Sequence, residues 1–392
     1  MIETNPFDII QLLANDDKVR ENPFNAYAMA RSFGDVININ EGFYVATTYS
    51  AVDQVLRGSS FGKVPAGDIS PRTSAFDPTY PVSMLFLDPP DHTRLRRSVV
   101  PYFTPSKVVQ MHESIERYSD EFFKDIHRNS GGDLVADIAV KLPISVIADM
   151  LGVSREEHIR LKDEVSVVAR SIDIGPGARE SVKDTLEAAG ISLLSFFTQL
   201  IESNFDDSSL LSSLLSGADP LTIKEASVMA MLLFMAGFET TSNLLGSISY
   251  HLSNDTELYD QVIEERENLD HVVDEFLRLE SPVQLNGRSV QADVVVNGVE
   301  LKPGSFVLTL IGGANRDPSV FSDPDAFQFN RTTRGIMSFG AGIHHCVGAA
   351  LARAEARIFL EHFLKLPRPN LVTAKRKPSL TLRGFDSVVI RI

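Results

Sequence analysis

The sequence predicts a mainly α-helical protein with small peripheral β-sheets. Three observations carry that expectation. Five stretches, near residues 105–129, 133–152, 154–172, 179–203 and 220–252, repeat apolar residues at helical spacing. Strand-like runs are short and confined to the neighbourhoods of 36–48, 289–310 and 379–391. With 43% hydrophobic and 23% charged residues, the 392-residue chain can build a large core and is not disordered in composition.

Taken in order, Val36–Asn40 and Phe43–Thr48 flank Glu41-Gly42 and read as a β-hairpin. The five helical stretches follow. Asp219-Pro220 is a plausible start for the last, with Asp capping and Pro in the first turn. Within it lies the longest apolar run, eleven residues from Val228 to Phe238. A bilayer span needs about twenty, so this run predicts a buried helix. A helix near 269–280 stops before Pro282, and Asn297-Gly298 and Pro303-Gly304 mark turns between short strands. A Gly-rich loop precedes a helix near 348–365, and strands close the chain. No repeat, low-complexity tract or Pro/Ser-rich linker divides it, so residues 1–392 are expected to form a single domain. The N-terminus lacks a basic region and a long apolar run, which predicts a cytoplasmic protein without a membrane anchor.

The net charge of −15 argues against a nucleic-acid binder. It is unevenly spread: residues 321–392 carry a net +6 and residues 1–320 a net −21. The single cysteine, Cys346, excludes an intrachain disulfide. It stands in Phe339-Gly-Ala-Gly-Ile-His344-His345-Cys346-Val-Gly348, directly before a helix. Glycines let backbone pass close to a bulky flat object, and the helix N-terminus favours thiolate over thiol. Such a thiolate suits the axial position of haem iron. A buried structural cysteine remains the alternative. A zinc site at His344-His345-Cys346 is disfavoured, because neighbouring side chains diverge and no second ligand pair has metal spacing.

The pattern Phe-Gly-x-Gly-x-His-x-Cys-x-Gly resembles the haem-binding signature of the cytochrome P-450 superfamily, the haem-thiolate monooxygenases. The resemblance implies the P-450 fold, haem b (iron protoporphyrin IX) as cofactor, Cys346 as the iron ligand, Phe339 packed beside it and His344 at a propionate. His345 departs from the pattern, where an apolar residue is usual. Ala236-Gly237-Phe238-Glu239-Thr240-Thr241 resembles the oxygen-activation motif, implying proton delivery by Glu239 and Thr240 beside haem-facing Ala236 and Gly237. Read without the family, a Glu after eleven apolar residues is costly unless used or paired, and Gly237 with Thr240 can open the helix ladder into a groove. An ordinary core helix whose Glu emerges at the surface is the alternative.

Other blocks agree with the resemblance. His92 and Arg96, four apart on one helix face, are implied to share a propionate with Arg288. Alone they would read as a solvated basic face. Glu275 and Arg278 resemble the family's Glu-x-x-Arg pair, completed by Arg331 into a buried ion network. The implied activity is insertion of one oxygen atom of O2 into a hydrophobic small molecule, with hydroxylation expected first. Oxidative coupling and a non-enzymatic haem-thiolate sensor are the rivals; a sensor needs Cys346 but not Glu239-Thr240. One cysteine cannot hold an iron–sulfur cluster, so electrons are expected from an acidic ferredoxin or flavodoxin with its reductase. The basic segment with Arg334, Arg353 and Arg357 is its expected landing face. The apolar stretches near 60–87, 229–233 and 283–286 are expected to line the substrate pocket, with Ile174–Gly177 as a hinge over its entrance.

Overall fold

A computed structural model describes residues 5–68, 73–169, 183–203, 209–216 and 219–392. Helices dominate, and their organiser is the 32-residue helix Ile223–Asn254. Nearly every side chain from Ala226 to Met235 is buried, because helices Lys141–Leu151, Arg155–Ala169, Lys183–Glu202 and Ala349–Phe363 surround it. The helix is long and apolar enough to cross a membrane, but 83% of its most apolar window is buried inside the protein, so it is a core helix. The expected hinge at Ile174–Gly177 lies outside the described residues, as do parts of two helices predicted near it.

The central helix does not start at Asp219-Pro220. Thr222 caps it: its hydroxyl accepts from the Glu225 N–H, and Glu225 reaches back to the Thr222 N–H at 2.9 Å. That reciprocal arrangement satisfies two orphan donors, which Asp219 cannot reach. Glu225 also pairs with Arg94, tying the helix start to helix Asp91–Val99, which carries His92 and Arg96.

A five-stranded sheet runs in the order Val36–Asn40, Phe43–Ala46, Phe306–Leu310, Leu285–Val290, Phe61–Gly62. The first pair is the predicted hairpin, although it ends at Ala46, and Thr48 instead caps helix Tyr49–Arg57. Phe306–Leu310 pairs in parallel with Phe43–Ala46 and antiparallel with Leu285–Val290, which sets Arg288 opposite Val307. Asn297 and Gly298 take positive φ in the turn between Val294–Val296 and Val299–Leu301, as the dipeptide predicts.

Two further expectations are corrected. The stretch 133–152 is not one helix: Gly131–Asp133 is a strand, Val135–Ala139 a π-turn, and the α-helix spans Lys141–Leu151. Here Asp133 accepts from the N–H groups of Val135 and Ala136, so the chain turns before it coils. The closing strands are Asn370–Arg376 and Phe385–Arg391, the first lying earlier than 379; they pair antiparallel and add Gly131–Asp133. Finally, Pro6–Asn15, Asp17–Glu21 and Phe24–Ser32 form N-terminal helices that apolar spacing alone did not announce.

Candidate active site

Cys346 is held by its own loop. Its N–H donates to the Phe339 carbonyl at 2.9 Å, Gly340 N–H to Met337 at 2.8 Å, and His345 N–H to Gly342 at 3.1 Å. Gly340 and Gly342 adopt φ +66° and +69°, and a Cβ on Gly342 would sit 2.3 Å from the Leu56 carbonyl. Only glycine fits there. Gly348 differs: its φ is −87° and a Cβ there would meet only Phe103, at 4.0 Å, so the protein alone does not demand glycine at that position. Phe339 lies beneath the Arg353 guanidinium, 4.5 Å from its ring.

The loop is anchored from below by a buried ion network. Glu275 accepts from Arg278 at 2.7 and 2.8 Å and from Arg331 at 3.1 Å. The remaining guanidinium donors go to carbonyls of Asn315, Pro324, Ala326, Ser322 and Asp323. Asn315 in turn accepts from Met337 N–H and donates to Ser338, fixing the two residues before Phe339.

The side chain of Cys346 is exposed although protein surrounds it at longer range, as for a group facing an internal void. Burial pushes the thiol above its ordinary pKa. The Gly348 N–H, Arg96 and Arg353 pull the other way and do not overcome it. This corrects the expectation that the helix terminus alone makes a thiolate. Desolvation wins until a cation meets the sulfur. Among the described residues no three His, Cys, Asp or Glu side chains converge, so a zinc site gains no support.

Beside the loop five basic groups gather. The rings of His92 and His344 lie 4.3 Å apart. Arg96 donates to the His345 carbonyl at 2.7 Å, and Arg288 to Asn286 Oδ1 at 2.8 Å. Lys63 donates to the same Asn286 oxygen at 2.8 Å. Burial, helped by neighbouring cations, drives His344 down to about 3 and Lys63 to about 7, and burial against the opposing pull of Asp88 brings Arg288 to about 10. Burial likewise lowers His92. Among the described residues, Asp88 is the carboxylate that opposes Lys63, Arg288 and His92. His92 Nδ1 and His344 Nε2 are buried without a hydrogen-bond partner. Converging buried cations with orphan donors fit an anionic group, and the two propionates of a haem are such groups. Lys63 was missed: it falls in the stretch assigned to substrate, and nothing in Phe61-Gly62-Lys63 signals that the strand turns it toward Arg288.

On the central helix, Ala236 is exposed and Gly237 and Thr240 are half-exposed in an otherwise buried run. Thr240 Oγ donates to the Ala236 carbonyl at 2.8 Å, yet the helix continues unbroken through both residues, so the expected opening of the ladder is absent. Gly237 also has a packing reason: a Cβ there would come within 3.3 Å of Ile147. Glu239 does not emerge at the surface. It is buried and paired with Lys377, on the loop between the last two strands.

The cytochrome P450 family model matches residues 177–381. A putative cytochrome P450 140 of Mycobacterium tuberculosis is 32% identical over 98% of this chain and 92% of its own length. The chain belongs to the cytochrome P450 family. Its structure resembles CYP109E1 from Bacillus megaterium in complex with testosterone, at TM-score 0.87 and 29% identity, covering 96% of this chain and 99% of that one. It is also similar to P450BioI in complex with acyl carrier protein ligated to hexadec-9Z-enoic acid, at TM-score 0.88 and 27% identity, over 96% and 100%. As a P450 it is a haem-thiolate oxidoreductase of the monooxygenase type, with haem b as cofactor.

Proposed function

We propose that the protein hydroxylates a hydrophobic small molecule in the cytoplasm, with RH + O2 + 2e− + 2H+ giving ROH + H2O. The observation that carries this reading is the coincidence of two features. Cys346 is exposed in the glycine loop, and Ala236 is exposed and Gly237 and Thr240 are half-exposed in an otherwise buried run of the central helix.

In this reading Cys346 would ligate the iron, with Phe339 and Gly348 in the loop around it. His92, Arg96, Arg288 and His344, joined by Lys63, would hold the propionates. When bound, haem supplies O2 activation and the oxidising power that attacks a C–H bond. The chain's own contribution is proton handling and exclusion of water. Thr240 gives its hydroxyl hydrogen to Ala236, so its Oγ is left as an acceptor that orients a proton-bearing water. Glu239 is the acid one residue away that returns protons to that water. Without ordered delivery, the same electrons leave as peroxide, O2 + 2e− + 2H+ giving H2O2. A sensor has no use for Glu239 and Thr240, so their pairing with the Cys346 loop favours an enzyme.

The stretches expected to line the pocket include apolar Met229, Leu233 and Leu285, which are buried, and that composition supports a hydrophobic substrate. The testosterone and acyl-carrier complexes of the similar structures make steroids and carrier-bound acyl chains the first compounds to screen. Electrons come from an acidic ferredoxin or flavodoxin with its reductase, docking near the Cys346 loop.

The test is the reduced carbon-monoxide spectrum of freshly purified protein. A red-shifted Soret band is expected, and Cys346→Ser is expected to abolish it. A histidine-type spectrum from intact protein defeats the assignment.

A further inference from the structure

We propose that solvent reaches Glu239 from a charged cavity between the N-terminal helices and the loop joining the last two strands, with Lys377 as the residue that positions the carboxylate. This rests on the reading of Glu239 as a proton donor and adds its supply.

The cavity, of 840 Å³, is lined on one side by Arg20, Glu21 and Phe24 and on the other by His251, Glu280 and Lys377. It opens well away from the Cys346 loop, none of whose residues line it. Lys377 is half-buried and belongs to both places: it lines the cavity, and its Nζ pairs with Glu239 Oε1. A carboxylate this buried keeps its charge and its direction only while a cation faces it.

A second observation runs along the central helix. Glu239, Asn243, Ser247 and His251 recur every four residues and so form one winding polar stripe along the second half of the central helix. Both side-chain polar atoms of Asn243 and the Ser247 hydroxyl are buried with no partner. The stripe meets the closing strands, where a Cβ on Gly384 would lie 2.2 Å from Asn243 Oδ1 and Tyr250 stacks on Phe385 at 4.6 Å. Its last member, His251, lines the cavity. Orphan buried polar groups beside a polar cavity are where ordered water sits. Protons can hop along such water to Glu239 with no net change in the chain: each hop breaks one O–H bond and forms another.

The experiment uses the haem-loaded enzyme with a substrate found by spectral screening. Product and peroxide are measured per electron for Lys377→Met, Lys377→Arg, Ser247→Val and Thr240→Ala. Lys377→Met is expected to cut the product-to-peroxide ratio about fivefold or more, with Lys377→Arg restoring most of it. Ser247→Val, which replaces an unpaired hydroxyl by a methyl, is expected to lower the ratio without lowering resistance to urea. Independently of turnover, Glu239→Gln and Lys377→Met are expected to be coupled about tenfold in the unfolding constant measured in a double-mutant cycle. An unchanged ratio in Lys377→Met, or no coupling in the cycle, overturns the positioning role. An unchanged ratio in Ser247→Val overturns the route. If Thr240→Ala raises peroxide while the Lys377 and Ser247 variants do not, the supply inference alone falls. If Thr240→Ala also leaves the ratio unchanged, the proton-donor reading falls with it.

Discussion

Two groups of buried arginine share this fold, and they are finished in opposite ways. Arg278 and Arg331 meet Glu275, and their remaining donors are used by backbone carbonyls. Arg288 lies with Lys63, His92 and His344 against a single carboxylate, Asp88, and two imidazole nitrogens have no partner. Arg288 and His92 are buried as fully as the first group, while Lys63 and His344 are half-buried. The first group is complete as protein, so its work is to hold the segment under Phe339. The second is left short of negative partners, which is what the proposed role in holding an anion requires. Satisfied and unsatisfied burial separates scaffold from site here better than residue type does.

The comparison predicts its largest effect at Glu275. Glu275→Ala leaves two guanidinium groups buried and unpaired, which is expected to cost roughly 3–5 kcal/mol and to prevent haem retention. Urea unfolding of the purified variant measures it. A loss under about 1 kcal/mol would show that the network is dispensable and the contrast false.

Arg288→Leu is expected to behave differently. Removing one cation from an under-compensated group relieves repulsion while losing the bonds to Asn286 and Gly287. The haem-free protein should therefore change by no more than about 1 kcal/mol. Haem should dissociate roughly 10- to 100-fold faster, the equivalent of one charge-assisted hydrogen bond. Haem transfer to apomyoglobin gives the rate. A haem-free protein that collapses on this substitution would place Arg288 with the scaffold.

Titration sharpens the same point at smaller scale. Lys63 holds its proton up to about 7 in the folded chain and up to its ordinary 10.5 when unfolded. Between those values the unfolded chain binds more protons, so this residue makes haem-free protein gain stability as pH rises from 7 toward 10. The gain is read as the difference between wild type and Lys63→Met in urea midpoint across that range. In the haem-loaded protein an anion beside Lys63 restores its proton, and the difference should shrink. A difference that is the same with and without haem would remove Lys63 from the anion site.

Where sequence reading succeeded and failed follows the same physics. The Cys346 loop was legible because its glycines and cysteine are local requirements: positive φ at Gly340 and Gly342 can be met by few residues. The long helices were legible from spacing, which reports one buried face. Lys63 was not legible, because its role depends on a strand more than 200 residues away. The partner of Glu239 was hidden likewise, since Lys377 is brought to it by the closing strands. Thr222-x-x-Glu225 was a visible capping signal, and Asp219-Pro220 mimicked it three residues early. The N-terminal helices escaped because they are short and their caps, Asn5 with Asp8 and then Asp16, lie outside any long apolar pattern.

The smallest prediction carries the contrast to the surface. Arg353 and Arg357 lie in the basic segment expected to receive an electron donor, but Arg353 is bound to Asp274 at 2.7 Å and Arg357 to Glu361 at 3.0 Å and Asp270 at 3.5 Å. Their charge is largely compensated before a partner arrives. Arg97, beside Arg96, and Arg334, ahead of Phe339, are exposed and have no ion-pair partner among the described residues. Steering acts on uncompensated charge and fades over a Debye length of about 10 Å at 0.1 M salt. Reversal of Arg97 and Arg334 to Glu should slow first haem reduction by an acidic ferredoxin roughly threefold to tenfold at low ionic strength, and hardly at all at 1 M salt. Reversal of Arg353 and Arg357 should slow it less at low ionic strength. Stopped-flow reduction across a salt series compares the two pairs directly. If the paired arginines matter more, their acids let go when the donor docks, and compensation in the free protein does not mark a surface residue as scaffold.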